Sequence, residues 1–257
     1  LRVMSGVTTV MPASGTLDDW KADIGVHVVR NPYMLVAVLA AMTGLLVEAF
    51  GLSNLVLMFV GGSSQGKTTL MRVGQSLVTS GGSIDTFAGT TKGVEAKLRE
   101  HLDMPAFLDE LRQADMPADI IKLVFDLDGG ASRKVSSGSQ QVIQRGSIRR
   151  ALVIANESTL AEITSGSKVK MNEGIGARMI EVHVEGPHGA FPSRPDGMTA
   201  KQFAEHLKPV TARVYGAFWD VFVVQVAKNA PQIRGWLIKH MPPVEEELLE
   251  GLSISDP

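Results

Sequence analysis

The sequence predicts a three-layer α/β/α fold built on a parallel central sheet, and three observations carry that prediction. Short continuous apolar runs recur at residues 55–60, 106–108 and 151–155, separated by stretches of helical character. Strands covered on both faces read this way, because neither face needs polar residues. A glycine-rich loop follows the first run directly and opens onto a helical segment, and strand–helix alternation around such a loop is the pattern of a parallel sheet. The 257 residues are 44% hydrophobic and 20% charged, enough apolar material to bury a core.

The elements follow in order. Thr16 is placed to cap a first helix, with Asp19 three residues later in a capping-box pattern. Asn31-Pro32 opens a long helix to about Phe50, and Gly51 ends it. Residues 55–60 form a buried strand, then the glycine loop, then a helix from Lys67 to about Leu77. A short strand at 84–87, a helix at 91–101, a strand at 106–108 and a helix at 117–125 come next. Residues 151–155 give another buried strand, and 179–183 alternate as the last one. Residues 186–197 hold three prolines and three glycines and read as a loop. Residues 199–228 are mostly helical with a break expected at Pro209, and the acidic tail with Glu245, Glu246, Glu247 and Glu250 reads as a solvated helix or a disordered end. The expected organisation is therefore a helical lead-in over 1–52, a core over 53–185 carrying a basic hairpin near 132–147, and a C-terminal helical segment over 186–257.

Bulk properties narrow the function classes. The formal net charge is −2, so total charge announces no nucleic-acid partner and a basic surface has to be local. Cysteine is absent, which excludes disulfides and thiolate metal sites and fits a reducing, cytoplasmic setting. The apolar stretch 34–47 is too short to span a bilayer and is followed by Glu48, so a buried helix and no membrane partner are expected. The chain starts at Leu1, and it reads as part of something longer.

Gly61-Gly62-Ser63-Ser64-Gln65-Gly66-Lys67-Thr68 matches the phosphate-loop pattern G-x-x-x-x-G-K-[ST] without exception. Glycines let the backbone turn its N–H groups inward around phosphates. Lys67 then reaches the β- and γ-phosphates of ATP, the Thr68 hydroxyl takes Mg²⁺, and the helix N-terminus adds its positive end. Thr69 completes the run of candidate nucleotide-binding residues.

The apolar run 106–108 ends in Asp109-Glu110. Asp109 is the candidate metal ligand, and Glu110 the base that orients and deprotonates an attacking water. The strand 151–155 ends in Asn156, a polar group placed to position that water. Arg178 precedes the last strand, where a ring ATPase places an arginine that reaches into the neighbouring subunit's site and stabilises transition-state charge. Between Gly129 and Asn156 stand Arg133, Lys134, Arg145, Arg149 and Arg150 with no acid. Arg133, Lys134 and Arg145 are the candidate nucleic-acid contacts of a hairpin gripping backbone phosphates, with single-stranded DNA the favoured partner.

Together these motifs resemble the domain of unknown function 927 family, helicase-like P-loop ATPases related to AAA+ and superfamily 3 ring helicases. The resemblance runs from Gly15-Thr16-Leu17-Asp18-Asp19-Trp20 to about Asn229 and includes the phosphate loop through Thr69, Gly89-Thr90-Thr91-Lys92-Gly93-Val94-Glu95, Leu108-Asp109-Glu110 and Val214-Tyr215-Gly216-Ala217-Phe218-Trp219. It implies an AAA+/ASCE-like P-loop NTPase core, a homo-oligomer of hexameric type, an ATP-driven motor on DNA and a primase-like domain on a longer chain. Where the family ends its sensor strand in Gly-Glu, this chain has Asn156-Glu157, which leaves either residue as the functional polar group. Two rivals stand beside the motor: an ATP-gated assembly switch that does not translocate, and a P-loop phosphotransferase, which Glu110 disfavours.

Overall fold

The computed structural model describes residues 12–88, 90–99, 104–111, 134–136, 142–144, 150–165 and 179–253, without the side chains of residues 48, 134–136, 142–144 and 243–253. The chain divides into a larger unit, Gly6–Phe218, and a smaller one that begins at Trp219. The described part of the lead-in, the sheet and residues 186–218 all belong to the larger unit.

Local chemistry sets the lead-in. In α1 (Leu17–Trp20) the Thr16 side chain accepts from Asp19 N–H while the Asp19 carboxylate accepts from Thr16 N–H, a complete capping box. A π-helical turn, Lys21–Gly25, and α2 (Val26–Val28) continue it. Asn31 Oδ1 accepts from the Met34 N–H at 3.2 Å and Pro32 occupies the first turn of α3 (Pro32–Phe50), which ends at Gly51 in the left-handed region. Met34, Ala37, Ala41 and Val47 of α3 are fully buried, but Leu35 and Leu39 face outward. The helix is thus covered on one side only, and among the described residues none of the helices is long and apolar enough to cross a membrane.

Five parallel strands form the sheet: β1 (Leu55–Val60), β2 (Asp85–Thr86), β3 (Ala106–Asp109), β6 (Ala151–Asn156) and β7 (Met179–His183), in the order β2-β3-β6-β1-β7. A strand formed late in the chain, β6, lies between β1 and β3. β1 explains its own sequence. Val56, Met58 and Val60 join the cluster with Phe87, Leu108 and Ile154, while Leu57 and Phe59, pointing the other way, are buried as well. Both faces are covered, so the run has no alternation. Each of these large side chains contributes about 1.5–3 kcal/mol by leaving water.

Around the sheet lie α4 (Lys67–Ser76), α5 (Thr91–Arg99) and α6 (Leu160–Thr164). Two glycines set how closely α3 approaches α4 and the start of β3. A Cβ at Gly74 would stand 2.9 Å from the Ala37 carbonyl oxygen, and one at Gly44 would stand 2.6 Å from the Pro105 nitrogen. Between β3 and β6 in the chain, β4 (Lys134–Ser136) and β5 (Val142–Gln144) pair antiparallel as a separate two-stranded ribbon. The helix expected at 117–125 lies outside the described residues.

The break expected at Pro209 is not there: α7 (Ala200–Arg213) runs through it. One ladder bond is lost at a proline, but Phe203, Leu207 and Val210 bury one face of the helix, and packing outweighs the missing bond. The helix stops after Arg213 instead. There Tyr215 exchanges backbone hydrogen bonds with Ser14, both at 2.9 Å, and Gly216 takes a φ of 80°. In the smaller unit α8 (Ala217–Lys228), which starts just before its boundary, is followed by α9 (Ala230–Ser253). The acidic tail is therefore helical as far as Ser253.

Candidate nucleotide site

The parallel sheet brings three strand ends to one edge. Val60 of β1 lies opposite Asn156 of β6, and Asp109 of β3 lies opposite Ala155. In an open parallel sheet that carboxyl-end edge is where ligands bind. Here it opens into a cavity of about 1040 Å³ lined by the phosphate loop, Asp109, Glu110, Asn156 and Glu157.

The loop has the backbone that its sequence calls for. Ser64 (φ 62°) and Gly66 (φ 88°) are left-handed, and Gly66 is the N-cap of α4. Gly61 lies so close to the Val184 carbonyl that a Cβ would collide with it. The Lys67 ammonium donates to the carbonyls of Gly61 and Gly62, each at 2.7 Å. Burial pulls the Lys67 pKa below the ordinary lysine range, and the charges of Glu157 and Asp109 partly draw it back up.

Thr68 on α4 donates its hydroxyl to Asp109 Oδ2 on β3 at 2.7 Å. Glu110 follows with a φ of 54°, a conformation that costs a non-glycine residue about 1–3 kcal/mol and concentrates at functional sites. Its N–H is held by the Ala155 carbonyl at 3.0 Å and by Asp109 Oδ1 at 2.9 Å, while its carboxylate is exposed at the cavity. Asn156 is buried and donates from Nδ2 to the Ser158 carbonyl at 2.8 Å. Its neighbour Glu157 is exposed.

These residues suit a metal–nucleotide complex. Among the described residues no group of three His, Asp or Glu converges as in an all-protein metal cage. A hydroxyl–carboxylate pair beside a phosphate loop fits Mg²⁺ instead, which takes one or two protein oxygens and fills its shell with water and phosphate.

The remaining expected residues stand apart from this picture. Arg178, Arg133 and Arg145 lie outside the described residues, and Lys134 is described only as backbone of β4. Sequence reading also missed a wall of the cavity. His188, Phe191, Arg194, Thr199, Lys201 and Lys208 line it from the segment after β7 and from α7. Their composition reads as an ordinary proline- and glycine-rich loop, and no motif marks them.

Sheet order, loop and acidic pair together define a P-loop NTPase fold with one strand inserted between the phosphate-loop strand and the acidic-pair strand. The profile of one family, described as Domain of unknown function (DUF927), matches residues 5–147, and the chain belongs to that family. Among solved structures, one described as "SCCmec type IV Cch - active helicase" superposes with a TM-score of 0.71 over 92% of this chain, at 18% identity. The match covers 42% of that protein, so this chain spans under half its length. At that identity the likeness shows a shared fold. No curated protein matches the sequence.

Proposed function

We propose that this chain is a Mg²⁺-dependent ATPase that works on DNA as a homo-oligomeric ring. The observation that carries the reading is the 2.7 Å contact from the Thr68 hydroxyl to the Asp109 carboxylate, made at the strand edge where Lys67, Glu110 and Asn156 also converge. The chain's own groups have separable tasks. Lys67 exchanges the Gly61 and Gly62 carbonyls for phosphate oxygens, and the loop N–H groups close around the same phosphates. Thr68 and Asp109 hold Mg²⁺, which when bound neutralises developing charge on the phosphates. Glu110 takes the proton of the attacking water, and Asn156 holds that water in line. Glu110 directly after Asp109 disfavours a P-loop phosphotransferase, because P-loop kinases do not usually place a base there.

The DNA arm rests on different support: the antiparallel β4–β5 ribbon lies in the acid-free basic stretch that includes Arg133, Lys134 and Arg145, and the similar structure is described as a helicase. Arg178, ahead of β7, supplies the arginine in trans in this reading, which requires a head-to-tail oligomer. The test is steady-state ATP hydrolysis with and without single-stranded DNA at two salt concentrations. Stimulation that fades at high salt is expected, because phosphate contacts are salt-dependent. Robust hydrolysis indifferent to DNA would remove the motor and favour an ATP-gated assembly switch. Unaltered hydrolysis by Lys67→Ala would remove the site.

A further inference from the structure

The segment after β7 docks directly on the phosphate loop. The Ala190 N–H donates to the Gln65 carbonyl at 2.8 Å. A Cβ at Gly66 would stand 2.6 Å from Phe191 Cε2 and 3.1 Å from Ala190 Cβ, so the Phe191 ring fills the space beside the α4 N-cap. Gly189 comes so near that a Cβ there would lie 2.6 Å from the Gln65 carbonyl oxygen. The strap itself is held from behind. Phe191 is 1% exposed, its ring meets Phe203 edge-on at 5.3 Å, and Phe203 meets His27 edge-on at 4.9 Å. Arg194 closes the strap through Nε to the Met198 carbonyl at 2.8 Å and Nη1 to the Phe191 carbonyl at 3.4 Å. Asn31 Nδ2 ties it to α3 through the Ser193 carbonyl at 3.3 Å.

Glycine has more backbone freedom than any other residue, and Gly66 must hold a φ of 88° for α4 to begin where it does. A ring packed against it removes alternative conformations before a ligand arrives. Preorganisation of this kind acts on affinity. The docking contacts fall on Gln65 and Gly66, whereas Asp109 and Asn156 belong to β3 and β6 and Glu110 follows β3.

We propose that Phe191 is a positioning residue for the triphosphate: its ring presets Gly66, and through it the N–H groups that receive the phosphates. The proposal rests on the nucleotide-binding reading above. The experiment compares wild type, Phe191→Ala and Phe191→Leu in two readouts: titration with ATP and with inorganic tripolyphosphate, and steady-state KM and kcat. Phe191→Ala is expected to weaken both ligands and raise KM about tenfold with kcat within about twofold, and Phe191→Leu to recover only partway, to about threefold weaker than wild type. A change of packing alone would lower the folded fraction, and so kcat, while leaving KM and both affinities in place; that result overturns the proposal. If Phe191→Ala does not fold, Phe191→Leu alone decides: a KM and tripolyphosphate affinity equal to wild type overturn it. A wild-type chain that binds neither ATP nor tripolyphosphate overturns the nucleotide reading itself, and is recognised because no variant then differs from it.

Discussion

Gly44→Ala adds one methyl group where α3 crosses the start of β3. Its Cβ would stand 2.6 Å from the Pro105 nitrogen, 2.8 Å from Pro105 Cδ and 3.0 Å from Pro105 Cα. These are backbone and ring atoms, so no flexible side-chain end can swing aside. Two effects oppose each other. Alanine favours a helix interior over glycine by about 0.8–1 kcal/mol. Overpacking a dense core costs about 1–3 kcal/mol, and the upper half of that range applies where three backbone or ring atoms are met at once. The net loss is about 1–2 kcal/mol, or a fall in Tm of about 2–8 °C for a chain of this size. Gly93→Ala in α5 is the control. Its nearest contact is Thr90 Oγ1 at 3.6 Å, so helix propensity acts alone and Tm rises by about 2–4 °C. Thermal unfolding followed by circular dichroism on the two variants and wild type measures both. A Gly44→Ala chain as stable as Gly93→Ala would refute the packing argument. Because Pro105 leads straight into β3, the same variant is also expected to weaken hydrolysis through Asp109 and Glu110.

Glu110→Gln is expected to keep ATP affinity and lower kcat by about 10²–10⁴-fold, the usual worth of a positioned base; steady-state turnover beside a nucleotide titration reads both, and unchanged turnover removes Glu110 from that role. Lys67 sits below the ordinary lysine range because it is buried, and Glu157 and Asp109 pull it back up. ATP affinity should therefore fall with rising pH earlier than for a solvated lysine, and Glu157→Gln should move that fall to lower pH. Affinity against pH for both chains checks this, and a move to higher pH contradicts it. His27 is held below its ordinary value of 6.5, first by burial and then by the charges of His206 and Arg30. As pH drops below 6.5 the unfolded chain takes up a proton that the folded chain resists. Stability present at neutral pH is thus lost on going down from 6.5 to the folded value and then levels off. His27→Phe, which keeps an aromatic ring against Phe203, should flatten that acid limb in a series of thermal melts, and an unchanged slope would refute it.

Features fixed by neighbouring residues were legible in the sequence. The Thr16 box, the Asn31-Pro32 start and the Gly51 stop each depend on a few adjacent side chains. The strand at 55–60 was legible because burial on both faces writes itself into the apolar pattern, whereas the strand at 179–183 forms against β1 although Ile180 of its alternating pattern is exposed. The strand expected at 84–87 shrinks to Asp85–Thr86, the residues in register with Leu108 and Asp109 of β3, with Phe87 N–H making one more bond to the Asp109 carbonyl at 3.2 Å. Pro209 misled because a local rule about backbone donors met a helix whose buried face decides the matter. The strap against Gly66 was illegible for a related reason. Its prolines and glycines describe a loop correctly, but where Phe191 comes to rest depends on Phe203, and through Phe203 on His27, partners far away in the chain.

Strand order is the other feature that no local pattern announces, and the site depends on it. If β3 lay beside β1, Asp109 and Glu110 would sit one strand spacing, about 4.8 Å, from the phosphate loop. With β6 between them the separation is two spacings, about 9.6 Å. That figure is a backbone separation, and side chains reach across it, since the Thr68 hydroxyl and the Asp109 carboxylate meet at 2.7 Å. The inserted strand also ends the gap with a polar side chain, since Val60 and Asn156 are in register. Only one described side-chain hydrogen bond links the phosphate-loop helix to the acidic pair across it, from Thr68 to Asp109. A residue there without a hydroxyl, as in Thr68→Val, would leave the two halves of the site joined through β6 and the packing of Phe107 against Gly74, with no described side-chain hydrogen bond between them. The same hydroxyl therefore serves two ends, one as candidate metal ligand and one as the tie between α4 and β3.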